Sequence, residues 1–288
     1  MKYLLLATSF ALIQTGQTAA NTFSTAAMKA PFTEKAQMAN IFSHDKNDID
    51  KYKNVYPYEV IADSNEIVEI NPSDANAYCN RGFEKAKSGD YSGAIDDYNR
   101  AIKINPKFGK AYFNRGLAKA KLKDYSGAID DYNRAIKINP KSGHAYKNRG
   151  FTKTNLKDYS GAIADYSKAI EIDPNDSDAY HNRGLAKKNS TDYQGAIADY
   201  SKAIEIDPND SDAYFNRGNA KIKSGNYQGA IADYSRQIRL NKRDAGAYFQ
   251  RGLAKYYLRD IQGACTDWRK SSSFRYEFAY KFFRKYCK

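Results

Sequence analysis

Six arginines and six aspartates recur at one fixed separation in this sequence. Arg81, Arg115, Arg149, Arg183, Arg217 and Arg251 are followed, sixteen residues on, by Asp97, Asp131, Asp165, Asp199, Asp233 and Asp267. An unpaired charge between packed elements is costly. Each Arg is therefore expected to meet its Asp as a charge-assisted pair between two elements or at their edge. Two unrelated solvated charges are the alternative. The Asp-Asp steps at 96–97 and 130–131 have the composition of an acid–base dyad, but their recurrence favours a structural charge pair. Ser92, Ser126 and Ser160 sit in no nucleophile–base arrangement and read as helix-start caps. His144 and His181 come near the start of successive units with no third ligand evident. Neither a metal nor a cofactor is expected, and the chain is read as a non-enzyme.

A second series is suited to binding rather than to reaction. Asn80, Asn114, Asn148, Asn182, Asn216 and Gln250 each stand two residues before a recurring Gly. Carboxamides carry both donors and an acceptor, so a row of them can hold peptide backbone without reading its sequence. Equally, they can cap or brace neighbouring helices. One position earlier come Cys79, Phe113, Lys147, His181, Phe215 and Phe249. Just after the Gly come Phe83, Leu117, Phe151, Leu185, Asn219 and Leu253. These make an apolar stripe beside the carboxamides or fill gaps between stacked helices.

The elements that position these residues follow from a period. Pro72, Pro106, Pro140, Pro174 and Pro208 are each 34 residues apart, and so are Gly82, Gly116, Gly150, Gly184, Gly218 and Gly252. The run DYSGAIDDYNRAIKINPK occurs unchanged at 90–107 and 124–141. Self-similarity of this kind marks a repeat architecture. Six units follow: 75–108, 109–142, 143–176, 177–210, 211–244 and 245–278. Within the second unit, Ala111 to Lys121 lacks proline and Lys123-Asp124 offers a turn. Ala128, Ile129, Tyr132, Ala135 and Ile136 then line one helical face. Pro140 stops that helix, having no N–H and biasing Asn139 away from it. No single helix pair can bury such a face, so pairs must stack.

Composition agrees with a globular chain: 42% apolar, 27% charged, net charge +13, and 25 Tyr against one Trp. Mean hydropathy of −0.77 excludes a polytopic membrane protein. Met1, Lys2 and Tyr3 precede an apolar run from Leu4 to Ile13, too short to span roughly 30 Å of hydrocarbon. With Thr18-Ala19-Ala20 after it, residues 1–20 read as a cleavable secretory signal, so export to a periplasm or out of the cell is expected. Thr25-Ala26-Ala27 is a second cleavage site, and an uncleaved tail is the alternative. Residues 21–56 have no sustained period and read as a linker or weakly ordered N-terminal segment.

These units resemble the tetratricopeptide repeat family. Its pattern of aromatic, Gly, Ala, aromatic, Ala and Pro is met by Tyr112, Gly116, Ala128, Tyr132, Ala135 and Pro140. The recurring Arg departs from it, standing where the family has an apolar residue. The last unit departs most, with Ile261, Cys265, Trp268 and Tyr276 at four pattern positions; atypical end repeats must face water. Residues 57–74 read as a degenerate leading half-repeat, and 279–288 as a closing helix. The resemblance implies an all-α, right-handed superhelical solenoid of stacked helix–turn–helix pairs. It also implies a protein-interaction scaffold whose first helices line a concave groove for a protein or extended peptide. The carboxamide series would then project into that groove, beside Phe113, Lys147, His181, Phe215 and Phe249. One subfamily grips a C-terminal carboxylate with Lys and Asn, but Phe151 and Phe215 interrupt that clamp here.

Two features lie outside the pattern. Residues 269–288 hold seven basic residues against Glu277, and Lys85, Lys87, Lys119, Lys121, Lys123, Lys221 and Lys223 ride the ends of first helices. Such charge attracts acidic proteins, anionic lipid headgroups or nucleic acid. For an exported chain an anionic membrane surface leads that list and nucleic acid is disfavoured, while a solvated face is the plain alternative. The alternative function is therefore a basic adaptor acting through its C-terminal end. Cys265 and Cys287 fall level with each other across a helical hairpin turning near Tyr276, so a disulfide is expected if both side chains turn inward. Two free thiols are the alternative, and the sequence carries no sign of oligomeric state.

Overall fold

The computed structural model describes residues 73–287. The expected signal at 1–20, the 21–56 stretch and residues 57–72 of the expected half-repeat lie outside the described residues. The described chain is all α, with no strand. Its first pair is α1 (Ala75–Lys87) with α2 (Tyr91–Ile104), and its second α3 (Gly109–Lys121) with α4 (Tyr125–Ile138). Then come α5 (Gly143–Asn155) with α6 (Tyr159–Ile172), and α7 (Ser177–Asn189) with α8 (Tyr193–Ile206). The last pairs are α9 (Ser211–Lys223) with α10 (Tyr227–Leu240), and α11 (Ala245–Tyr257) with α12 (Ile261–Ser273). A closing helix, α13 (Glu277–Tyr286), follows. It begins two residues before the expected 279, because Arg275 turns the chain at φ 65° and Tyr276 is already extended.

Every second helix begins with one device. The Asp90 carboxylate accepts from the Gly93 N–H at 2.9 Å. Asp124, Asp158, Asp192, Asn226 and Asp260 repeat this on Gly127, Gly161, Gly195, Gly229 and Gly263. Such a cap is worth about 1 kcal/mol. The Gly belongs to the device, since a Cβ on Gly93 would lie 2.1 Å from Asp90 Oδ2. The capping role expected of Ser92, Ser126 and Ser160 is thereby corrected. They stand inside the first turn, and the acid two residues earlier holds the free N–H.

The turn inside each pair needs one left-handed residue. Gly89 and Gly225 supply it at φ 89° and 81°, but Lys123, Lys157, Thr191 and Arg259 do so at 64°, 62°, 69° and 66°. An L side chain there costs roughly 1–2 kcal/mol, so four turns carry local strain. The pairs close around Tyr98, Tyr132, Tyr166, Tyr200, Tyr234 and Trp268, each no more than 1% exposed. Burying a large apolar side chain stabilises by about 1.5–3 kcal/mol. These rings lie flat against the first helix only because glycine faces them. A Cβ on Gly116 or Gly218 would come 2.7 Å from the Tyr132 or Tyr234 ring.

Each pair packs on the next, and successive first helices touch while successive second helices do not come as close. A stack that is tighter on one side curves toward that side. Helices α1, α3, α5, α7, α9 and α11 therefore form the inner face. At the end, α13 packs on α12 and is tied to it by the Cys265–Cys287 disulfide, with Cα atoms 5.6 Å apart. Trp268 anchors this cap, 5.3 Å from the Phe282 ring and donating from Nε1 to the Phe249 carbonyl. No described helix is long and apolar enough to cross a membrane.

Candidate functional site

The Arg–Asp series lies between the two helices of each pair. Arg115 donates from Nε and Nη2 to both Asp131 oxygens, at 2.9 and 2.5 Å. The same bidentate contact joins Arg81 to Asp97, Arg149 to Asp165, Arg183 to Asp199, Arg217 to Asp233 and Arg251 to Asp267. A third member completes each site. Lys85, Lys119, Lys153, Lys187, Lys221 and Lys255, one turn after the Arg, reach the same carboxylate at 2.8–2.9 Å. Lys85, Lys119 and Lys221 were expected on a solvated face; the buried carboxylate draws them in. The signal was their own 34-residue period. Of the others, Lys87 pairs with Glu84 at 2.9 Å.

These forks also join one pair to the next. Arg115 and Arg149 donate from Nη1 to Asn99 and Asn133 at 2.6 Å, and Arg183, Arg217 and Arg251 to Ser167, Ser201 and Ser235 at 3.0 Å. The acceptor is always on the preceding second helix. Each guanidinium also covers the Tyr three residues before it, as Arg115 covers Tyr112 at 5.4 Å. Burial alone would raise the Asp97 carboxyl, but Arg81 and then Lys85 outweigh it and hold the group below the ordinary carboxylate range. Such a network is structural. Both oxygens of each of the six aspartates are taken up within it.

The inner face is different in each unit. Lys147 reaches across to Asp176, the cap of α7, at 2.8 Å. One unit on, His181 Nδ1 lies 3.0 Å from Asp210, the cap of α9. Lys188 can only donate, and it donates to Asn216 Oδ1 at 3.1 Å. That turns the Asn216 amide nitrogen toward His181 Nε2 at 3.3 Å, so Nε2 accepts and the imidazole proton sits on Nδ1 facing Asp210. Burial would raise Asp210, but the hydrogen bond from His181, with those from the Ala213 and Asp212 N–H groups, holds it below the usual range. Asp212 is raised, by burial first and by Asp210 next. Tyr234 donates to Asn219 at 2.8 Å, whereas the buried Tyr200 hydroxyl finds no partner among the described residues, Leu185 standing at the equivalent place.

The carboxamides therefore do not act as six equal rungs. Asn114 is buried, its amide 3.9 Å from the Cys79 sulfur, and it braces two units rather than facing a ligand. Asn148 donates to its own helix at the His144 carbonyl, and Asn216 is held by Lys188 and His181. Asn80, Asn182 and Gln250 make no side-chain hydrogen bond among the described residues. Of the neighbouring series, Phe113 and Phe215 pack on Tyr132 and Tyr234, with ring centroids 6.0 and 5.8 Å apart. Phe249 is buried between Tyr276 and Phe282. Its place on a binding face is corrected, because α13 covers it. Cys79 is fully buried, which pushes its thiol up to about 11. Phe151 stays open, 46% exposed. Sequence reasoning paired it with the other post-glycine residues and missed its exposure. Among the described residues no group of three or more His, Cys, Asp or Glu is placed to hold a metal.

The tetratricopeptide repeat family model matches residues 109–142, and a second TPR repeat model matches 83–123, 152–190, 192–225 and 218–258. Among solved structures the chain is similar to YrrB, described as a TPR protein with an unusual peptide-binding site. The identity is 21% and the TM-score 0.56, over 62% of this chain and 91% of that one. It is similar to PilF of Pseudomonas aeruginosa at 16% identity and a TM-score of 0.61, over 73% and 96%. It is also similar to MamA of Desulfovibrio magneticus at 20% identity and a TM-score of 0.56, over 59% and 96%. At these identities the likeness is one of fold alone. No curated protein matches the chain.

Proposed function

The chain belongs to the tetratricopeptide repeat family, and we propose that its inner face holds an extended segment of a protein partner. Proteins of this family generally serve as interaction scaffolds, and the fold is typically non-enzymatic. The observation that carries the reading is the division of labour on the first helices. Lys147, His181, Lys188 and Asn216 are taken up in contacts between units, while Asn182 makes no side-chain hydrogen bond among the described residues and Phe151 keeps an open apolar surface one unit earlier. An amide donor and acceptor can take up peptide backbone. The half-exposed Phe151 ring on the preceding first helix offers a place for an apolar side chain. We further propose that the chain works outside the cytoplasm, on the strength of residues 1–20.

The natural partner need not be identified for the test. Peptides are selected from a random library on the full chain, and their affinities are measured for the wild type and for Phe151→Ala with Asn182→Ala. The double variant should bind about tenfold or more weakly and unfold at the same temperature. Equal affinities would remove the reading.

A further inference from the structure

The exposed aliphatic side chains of the repeats fall mainly at two recurring places. Ile104, Ile138, Ile172 and Leu240 end second helices at 37–38% exposure, and Leu122, Leu156 and Leu258 sit in the turns. The closing helix breaks that rule. Its inner side, with Ala279, Phe282, Phe283 and Tyr286, packs into the cap around Trp268. Yet Phe278 and Tyr280 point away from the cap at 61% and 51% exposure. A cap whose only task was to end the stack would show water a polar surface.

The outer side has an order. At 3.6 residues per turn, Tyr280 and Phe278 stand at its two edges, with Arg284, Lys281 and Lys285 between them, all exposed. The Arg284 guanidinium lies 5.8 Å from the Tyr280 ring and Lys281 Nζ 5.8 Å from the Phe278 ring. Arg269, Lys270 and Arg275 extend the charge, and Glu277, the one acid in 269–287, is bonded to Lys281 at 2.7 Å.

We propose that this outer face of α13 docks on an anionic phospholipid bilayer surface. Basic side chains near such a surface gain electrostatic attraction that falls off within a Debye length. Aromatic rings at the edges of a basic strip suit the headgroup layer, where amphipathic rings settle. Single-stranded nucleic acid would need free ring faces for stacking. Here Phe278 lies between Lys281 and Tyr276, the latter 6.0 Å away, and Tyr280 lies under Arg284. The Cys265–Cys287 disulfide holds the helix in place, so the face is formed before any contact.

The test is co-sedimentation of the full chain with vesicles of phosphatidylcholine alone and of phosphatidylcholine mixed with phosphatidylglycerol. The apolar run at Leu4 to Ile13 would favour both vesicles alike, so the ratio of the two affinities is the readout. The expected ratio is about tenfold or more at low salt and falls as salt is added. Lys281→Gln with Arg284→Gln and Lys285→Gln should bring it near unity, and Phe278→Ser with Tyr280→Ser should weaken binding to both vesicles with the disulfide intact. A wild-type ratio near unity, a ratio unmoved by the charge variant, anionic-vesicle binding unmoved by the aromatic variant, or tighter binding to a single-stranded oligonucleotide than to anionic vesicles would overturn the proposal. Phe151→Ala with Asn182→Ala should leave the ratio unchanged.

Discussion

The layer between paired helices and the layer on the inner face are built on the same period and use it in opposite ways. Between the helices, Arg, Asp and Lys meet six times with the same atoms and nearly the same distances. On the inner face, the residue before each carboxamide is Cys79, Phe113, Lys147, His181, Phe215 and Phe249 in turn. Lys147 and His181 make polar bridges to the next unit, while Phe113 and Phe215 pack on rings. What the stack must do at every step is done by the repeating layer. That leaves the other layer free to differ from place to place, as the proposed recognition of one segment requires.

The largest expected contrast sets the fork against the open inner face. Asp165 is 2% exposed and neutralises both Arg149 and Lys153. Asp165→Ala leaves two cations together at a buried site and should cost about 3–5 kcal/mol in urea unfolding. Asn182→Ala should fall within about 0.5 kcal/mol of wild type. A loss below about 1 kcal/mol for Asp165→Ala would return the forks to the class of solvated surface pairs.

Gly218→Ala sharpens the same contrast. Its Cβ would press within 2.7 Å of the Tyr234 ring. The expected loss is about 1–3 kcal/mol, read from the thermal midpoint. Gly150→Ala meets its ring only at 3.1 Å and should lose less. Equal losses would mean that the closeness of the ring does not set the cost, since helix propensity by itself favours Ala over Gly.

The smallest effect has the opposite sign. Thr191 is β-branched and sits at φ 69° in a turn where Gly89 and Gly225 serve elsewhere. Thr191→Gly should stabilise the chain by roughly 0.5–1 kcal/mol, the relieved strain exceeding the entropy that glycine adds to the unfolded state. A destabilised variant would show that this turn is not strained.

The period, the helix pairs and the partners of each Arg were legible in the sequence, because a spacing that recurs six times carries information no single residue has. The caps and the lysines were legible too and were misread. Asp or Asn stands at the cap position in all six units, from Asp90 to Asp260, whereas Ser follows in only three, at 92, 126 and 160. Lysine at a helix end is usually solvated, so only its period pointed to the buried carboxylate. The inner face was not legible. Whether Asn114 is buried, or Asn182 half-buried and unbonded among the described residues, depends on what stands one unit away, and those neighbours do not repeat. At the cap, the common level of Cys265 and Cys287 can be counted from the hairpin, but the inward turn of both side chains rests on how Trp268, Phe282 and Tyr286 pack.

Hydrogen exchange of the full chain, with and without a library-selected peptide, tests the division between the two layers most directly. The account predicts added protection in the first helices α5, α7 and α9, around Phe151 and Asn182, with little change in the second helices α6, α8 and α10. Protection confined to the second helices would contradict it.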